Sequence, residues 1–263
     1  MDVALLMLVG GVAAGVFGSL LGLGGGLLIV PLLTIVFGLP LREAVAVSLV
    51  CVIVTSSASA SVFLERRQAN LRLGMTLELF TAMGAIVGGL VAFLLDARAL
   101  AGLFAIVLVY VAFTMARLRA APVVPPPVDG AAAVSDGGHA IRNWPGGIAG
   151  SVGAGVVSAL LGIGGGIIKV PVMHLVMGAP LRMATATSNL MIGITASASA
   201  IVYLLRGGID VYAAAPTAVG VFLGATIGSR VAGRVDVRLL RLLFVAVLLF
   251  TAFEMARRAV TGA

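Results

Sequence analysis

Residues 18–31, GSLLGLGGGLLIVP, return as residues 158–171, SALLGIGGGIIKVP, 140 positions later. The register holds well beyond this motif. Gly38-Leu39-Pro40-Leu41-Arg42 matches Gly178-Ala179-Pro180-Leu181-Arg182, and Phe113-Thr114-Met115-Ala116-Arg117 matches Phe253-Glu254-Met255-Ala256-Arg257. About 45 positions between 10 and 117 recur in this way. Such a chain must fold as two similar units, each with a glycine break in the same place.

Those units cannot be water-soluble. Only 10% of the 263 residues are charged and 61% are apolar, with mean hydropathy +1.20. A soluble domain carries about 25% charge. Glycine is spread through the apolar segments at four-residue spacing, as in Gly11/Gly15, Gly18/Gly22, Gly84/Gly88 and Gly220/Gly224/Gly228. In lipid that spacing lets helix backbones approach closely. The segments are longer than the alternating runs of about 10 residues in a transmembrane barrel. The expected class is all-α, a polytopic transmembrane helical bundle.

Apolar segments run over 3–20, 26–38, 44–64, 75–95 and 99–117. The second set is 147–160, 166–178, 184–205, 212–233 and 238–257. A helical span needs about 20 residues, so 26–38 and 166–178 are short. Each short segment and its predecessor form either a re-entrant hairpin or a full helix plus a short tilted one. In both cases the pair returns the chain to its starting side. Three further spans then make an odd number of crossings, so the two repeats are expected to be inverted. The total is about 8–10 membrane segments. The expected organisation is a first repeat over 1–119, a Pro/Gly-rich linker over 120–145 and a second repeat over 146–263. The first segment belongs to the repeat and lacks a basic n-region, so it is expected to be retained.

The net charge of +7 is almost all arginine between apolar segments. With the linker placed in the cytoplasm, eleven arginines fall in inside loops and five in outside loops, which favours both termini outside. No compact basic patch with interleaved aromatics suggests nucleic acid. Cys51 is the single cysteine, so no internal disulfide or CxxC site can form. Neither a metal-ligand cluster, nor a paired carboxylate at membrane depth, nor a Ser-His-Asp set stands out. No enzyme and no cofactor is expected.

The residues that carry chemistry lie around the glycine clusters, Gly24-Gly25-Gly26 and Gly164-Gly165-Gly166. Each glycine weakens a helix by about 1 kcal/mol relative to alanine. Backbone freed by a break in lipid must be buried in protein or line a wet cavity. The next half-helix starts with free N–H groups, which attract anions. Close packing is the alternative. A nucleotide loop is excluded, because Leu27 stands where G-x-G-x-x-G needs its last glycine, and no GK[ST] follows. Pro31 and Pro171 read as structural, in the first turns of the short helices.

Ser48 and Thr55 match Ser188 and Thr195, while Thr187 and Asn189 are extra in the second half. Such neutral donors can bind an oxyanion, or simply bond their own helix. Lys169, the only lysine, stands where the first half has Ile29. A membrane lysine marks function by default, unless it snorkels to an interface. It would counter an anion or take part in proton coupling. His174 is a relay or a helix hydrogen-bonding partner. Glu78 and Glu254 read as interfacial, and Asp96/Arg98 and Asp236/Arg238 as loop caps or salt bridges.

The doubled G-x-x-x-G-x-G-G-G-x-x-x-V-P pattern, Gly18 to Pro31 and Ser158 to Pro171, resembles the TauE/SafE family of sulfite exporters. The Gly-x-Pro stretch and the Thr/Ser-rich third segment resemble it too, and only the linker falls outside. Ser158 departs from the pattern's first glycine. The resemblance implies a multi-pass carrier of the bacterial inner membrane, exporting small sulfur-containing anions such as sulfite, sulfoacetate or other organosulfonates. Cys51 alone does not suit a multi-cysteine thiosulfate relay. The partners expected are the small anion, the lipid bilayer and a coupling proton or other ion, with a homodimer compatible. The anion is expected between the two triple-glycine turns, with Ser48, Thr55, Thr187, Ser188, Asn189 and Thr195 as donors and Lys169 as the positive charge. The other readings are an anion channel, a carrier of non-sulfur carboxylates, or a scaffold with a dry centre.

Overall fold

The structure, a computed structural model, describes residues 2–21, 26–65, 69–117, 143–231 and 237–261. These residues form α1 (Asp2–Leu21), α2 (Gly26–Val36), α3 (Leu41–Glu65), α4 (Leu71–Leu94) and α5 (Ala97–Arg117). The second half repeats the order with α6 (Trp144–Leu161), α7 (Gly166–Val176), α8 (Leu181–Leu205), α9 (Val211–Val231) and α10 (Val237–Thr261). No strand occurs among the described residues, and five helices there are long and apolar enough to cross a membrane. The fold is an all-α polytopic bundle. Of the expected linker, residues 120–142 lie outside the described part. Asn143 already caps α6, its Oδ1 accepting from the Gly146 amide at 3.2 Å.

The ambiguity over the short segments resolves by length. α1 has 20 residues and α6 has 18, or about 30 Å of rise each. α2 and α7 have roughly half that. Each pair is therefore a full-length helix followed by a short one. Pro31 and Pro171 are not in the first turns of α2 and α7. Each is the sixth residue, and the helix is π-wound over the next five. Proline has no N–H to continue the i→i−4 ladder, and the wider winding takes over, as in the Met177 amide to Val172 carbonyl bond of 3.1 Å. Gly38 and Gly178 then stop the helices at φ +68° and +75°. Bonds from Leu39 to the Leu33 carbonyl and from Ala179 to the Met173 carbonyl close the ends, one residue wider than a Schellman motif.

The helix pairings map onto themselves when the halves are exchanged. α1 packs on α9 and α6 on α4; α3 packs on α9 and α8 on α4. α3 with α8 and α5 with α10 are each other's equivalents. Glycine sets the closeness of the first two pairs. A Cβ on Gly15 would lie 2.3 Å from the Val221 carbonyl oxygen, and one on its equivalent Gly155 would lie 2.0 Å from that of Thr81. Gly224 faces the Val12 oxygen at 2.1 Å, and Gly84 the Val152 oxygen at 2.2 Å. The fourth helix of each half thus packs on the first helix of the other.

The obstacle at these contacts is backbone, so a side chain cannot be accommodated by a rotamer change. Gly224→Val is expected to cost about 3 kcal/mol and to lower the unfolding temperature in detergent. A Cβ on Gly153 meets nothing within 4 Å, so Gly153→Ala is expected to raise stability by about 0.5 kcal/mol through helix propensity. Equal effects in the two variants would refute the glycine contacts as the basis of packing.

Candidate functional site

The start of α2 meets the end of α6. A Cβ on Gly26, at the start of α2, would lie 2.9 Å from the Gly162 carbonyl oxygen at the end of α6. Ser48 of α3 ties them together. Its hydroxyl lies 2.7 Å from the Gly162 oxygen and 3.1 Å from the Gly26 oxygen, close enough to donate to both. Val52, one turn along α3, packs against Gly26 and Gly164. The space between Gly26 and Gly162 is therefore filled by protein, and the centre of this conformation is closed. Gly24 and Gly25 lie outside the described residues.

The second break is drawn in full. Gly162, Gly164 and Gly165 have φ of +70°, +81° and +75°, a backbone that favours glycine. Gly162 closes α6 by donating its amide to the Ser158 carbonyl at 2.8 Å, and Gly165 caps α7. The first amides of α7 have no partner within their own helix. Polar side chains gather around this turn. A Cβ on Gly165 would lie 3.3 Å from Ser158 Cβ and 3.5 Å from Lys169 Cε, and one on Gly166 would lie 3.5 Å from Ser188 Oγ. Ser158 Oγ and Ser188 Oγ are both buried without a hydrogen-bond partner. Native structures rarely leave buried hydroxyls unmet.

Lys169 does not snorkel. It is 2% exposed, and its Nζ lies 3.0 Å from Oε2 of Glu78 on α4, itself 3% exposed. Thr195 of α8 bridges the pair, accepting from Lys169 Nζ and donating to Glu78 Oε1. Three helices thus converge on one buried ion pair. The expectation that Glu78 is interfacial is wrong. A carboxylate at that depth is tolerable because an ammonium and a hydroxyl both meet it. Glu254 is half-buried and pairs with the exposed Arg257, and Asp96 caps α5 at Ala99. Asp236 and the side chain of Arg238 lie outside the described residues.

The remaining expected site residues have other partners in the protein. Thr187 Oγ1 accepts from the Asn70 amide at 3.0 Å, beside the cap of α4. Asn189 Nδ2 donates to the Thr185 carbonyl, and Thr55 bonds the carbonyls of Cys51 and Val52 in its own helix. His174 Nδ1 is 2.8 Å from the Ala179 carbonyl, as a helix hydrogen-bonding partner rather than a relay. So Gly164, Gly165, Gly166, Lys169, Ser188 and Thr195 are brought together, and Ser48 holds the junction between the breaks. Neither Glu78 nor Ser158 is among the residues expected at the site. The signal was available: Lys169, Glu78 and Ser158 replace Ile29, Ala218 and Gly18 at the equivalent position.

A crevice of about 330 Å³ reaches this turn between α5, α6 and α7, lined in part by Tyr110, Ser158, Gly165 and Pro171. Its equivalent in the first half, about 270 Å³, has Phe250, Phe17 and Pro31 where this one has Tyr110, Val157 and Pro171. The second-half crevice is the more polar of the two.

The sulfite exporter TauE/SafE family matches residues 7–255, nearly the whole described bundle. The chain belongs to this family. It is 24% identical over 238 residues to the probable membrane transporter protein YunE of Bacillus subtilis, covering 86% of this chain and 87% of that one. It is 30% identical over 205 residues to the probable membrane transporter protein MJ0441 of Methanocaldococcus jannaschii, covering 76% and 72%. No solved structure matches the chain. The family and these relatives are membrane transporters and not enzymes. This TauE/SafE member is a membrane transporter whose two motif regions adjoin at Ser48.

The two equivalent serines have opposite roles, which a mutation pair separates. Ser48→Ala strips a partner from two buried carbonyls and is expected to destabilise by about 2 kcal/mol. Ser188→Ala removes an unmet hydroxyl and is expected to leave stability unchanged or slightly raised. Thermal unfolding of the two purified variants checks the contrast; a Ser188→Ala loss as large as that of Ser48→Ala would contradict it.

Proposed function

We propose that the protein is a secondary carrier of the bacterial inner membrane for small sulfur-containing anions, sulfite or organosulfonates such as sulfoacetate. It works outward when the anion accumulates inside. The anion docks at the Gly164-Gly165-Gly166 turn. The first amides of α7 and the hydroxyls of Ser188 and Ser158 donate to its oxygens, and Lys169 supplies the positive charge. The observation that carries this reading is the pair of buried, unpartnered hydroxyls beside the broken turn that holds the only lysine. Neutral donors bind an oxyanion without fixing it so tightly that release is slow. The family's printed description, sulfite exporter, supports the anion class.

Access alternates as one group of helices moves against the other around this turn. Two features support an axis in the membrane plane relating inverted repeats. Each half has a full-length helix, a short one and three more, which gives an odd number of crossings. The pairings of α1 with α9 and of α6 with α4 interchange when the halves are exchanged. The contact of Ser48 with both breaks would be remade in each change of state.

A screen of the purified protein against sulfite, sulfoacetate, taurine, thiosulfate and simple carboxylates tests the anion class. Sulfur oxyanions are expected to raise the unfolding temperature and carboxylates to do so less. Equal response to all of them would overturn the assignment. Each charged hydrogen bond is worth about 1.5 kcal/mol or more, so Ser188→Ala and Ser158→Gly are each expected to weaken sulfite binding about tenfold by calorimetry. Unchanged affinity in both would move the site away from this turn.

A further inference from the structure

The buried ion pair breaks the symmetry of the duplication, and it does so in two places at once, around a threonine that both environments keep. Glu78, Lys169 and Thr195 in one environment correspond to Ala218, Ile29 and Thr55 in the other. There Ile29 is buried among apolar neighbours and Thr55 bonds its own backbone. The same architecture therefore packs without the charges. A buried ion pair is seldom a gain over apolar residues of similar size, so packing gives no reason for this one.

The pair adjoins the unmet hydroxyls. Lys169 Cε lies beside Gly165, whose other flank is Ser158, and Ser188 stands at the next residue. Rotation about the last side-chain bonds of Lys169 carries Nζ from Glu78 towards the turn. We infer that Glu78 is the carrier's internal counter-anion: it holds Lys169 when the site is empty, yields it to the transported anion and takes up one proton as it does so. This rests on the anion carrier proposed above.

Charge balance gives the cycle. The empty site holds one ammonium and one carboxylate, net zero. An arriving monoanion takes the ammonium. Glu78 then takes one proton from the water on the open side, and the loaded site is again net zero. Release of the anion returns the proton to water and the carboxylate to Lys169. Both states can cross a low-dielectric interior, where an unmatched charge is expensive. The cycle is reversible, and its direction follows the combined gradients of anion and proton.

No other described titratable group stands at the pair. α6 carries none. On α4 the other is Arg72, exposed in the first turn. On α7 it is His174, bonded to the Ala179 carbonyl. On α8 they are Arg182 in the first turn and Tyr203, whose hydroxyl donates to the Ala159 carbonyl.

The test uses the full chain in proteoliposomes with isethionate, a monovalent sulfonate whose charge is constant around neutral pH. For the wild type, affinity is expected to fall tenfold per pH unit once Glu78 is ionised in the empty site, as one proton per anion requires. A pH gradient alone should drive uphill accumulation. Glu78→Gln mimics the protonated acid, so its empty site is charged and its loaded site neutral. It is expected to bind independently of pH, to lose the drive by a pH gradient, and to raise the ratio of counterflow to net efflux at least tenfold. The double variant Lys169→Ile/Glu78→Ala introduces the residue types of the equivalent environment, Ile29 and Ala218. It is expected to elute as wild type and bind no anion. Wild-type binding and exchange that ignore pH would overturn the coupling and leave the carrier standing. So would a Glu78→Gln protein still driven by a pH gradient. Wild-type protein that neither binds nor exchanges isethionate, sulfite or sulfoacetate would overturn the carrier itself.

Discussion

A helix broken inside a bilayer has no water to repair it, and everything in this fold follows from how the two breaks are repaired. Each freed carbonyl or amide must be met by protein or line a wet cavity. At the junction Ser48 does this for Gly26 and Gly162 together, and so ties the two motif regions into one structure. That repair requires α3 to approach both breaks. Approach in turn depends on the glycine contacts that let α1 lie on α9 and α4 on α6.

The duplicated scaffold has diverged where its chemistry lies. The glycine contacts recur almost atom for atom, as with Gly15 on Val221 and Gly155 on Thr81. The polar groups do not. Ser158, Lys169 and Glu78 match the apolar or bare Gly18, Ile29 and Ala218, and Ser48, which repairs the junction, has an unpartnered counterpart in Ser188. In the carrier proposed above, the symmetric packings are what interchange in movement, and the asymmetric polar groups are what one small solute meets.

Much of the fold was legible in the sequence. The ten apolar segments correspond to the ten helices, most ends within about three residues, because hydropathy and glycine punctuation are local signals. The prolines were misplaced by about a turn, since the π-winding that follows them is a response of the hydrogen-bond ladder and has no composition of its own. The site was legible in part. Lys169, Ser188 and the glycines stood out by rarity or by repetition. Glu78 did not, because its partner is 91 residues away and only the tertiary packing of α4 brings them together. Thr187 and Asn189 have partners within the protein: a dense polar run at the start of a helix serves the local cap and backbone as readily as a ligand.

One placement separates this account from a symmetric one most directly. Selenite, a heavier relative of sulfite, can be located by its anomalous scattering in crystals of the protein. The account predicts one peak per chain at the Gly165-Gly166 turn, within hydrogen-bond reach of Ser188 and Lys169. A peak at the first-half equivalent beside Ile29, or paired peaks related by the exchange of halves, would contradict it.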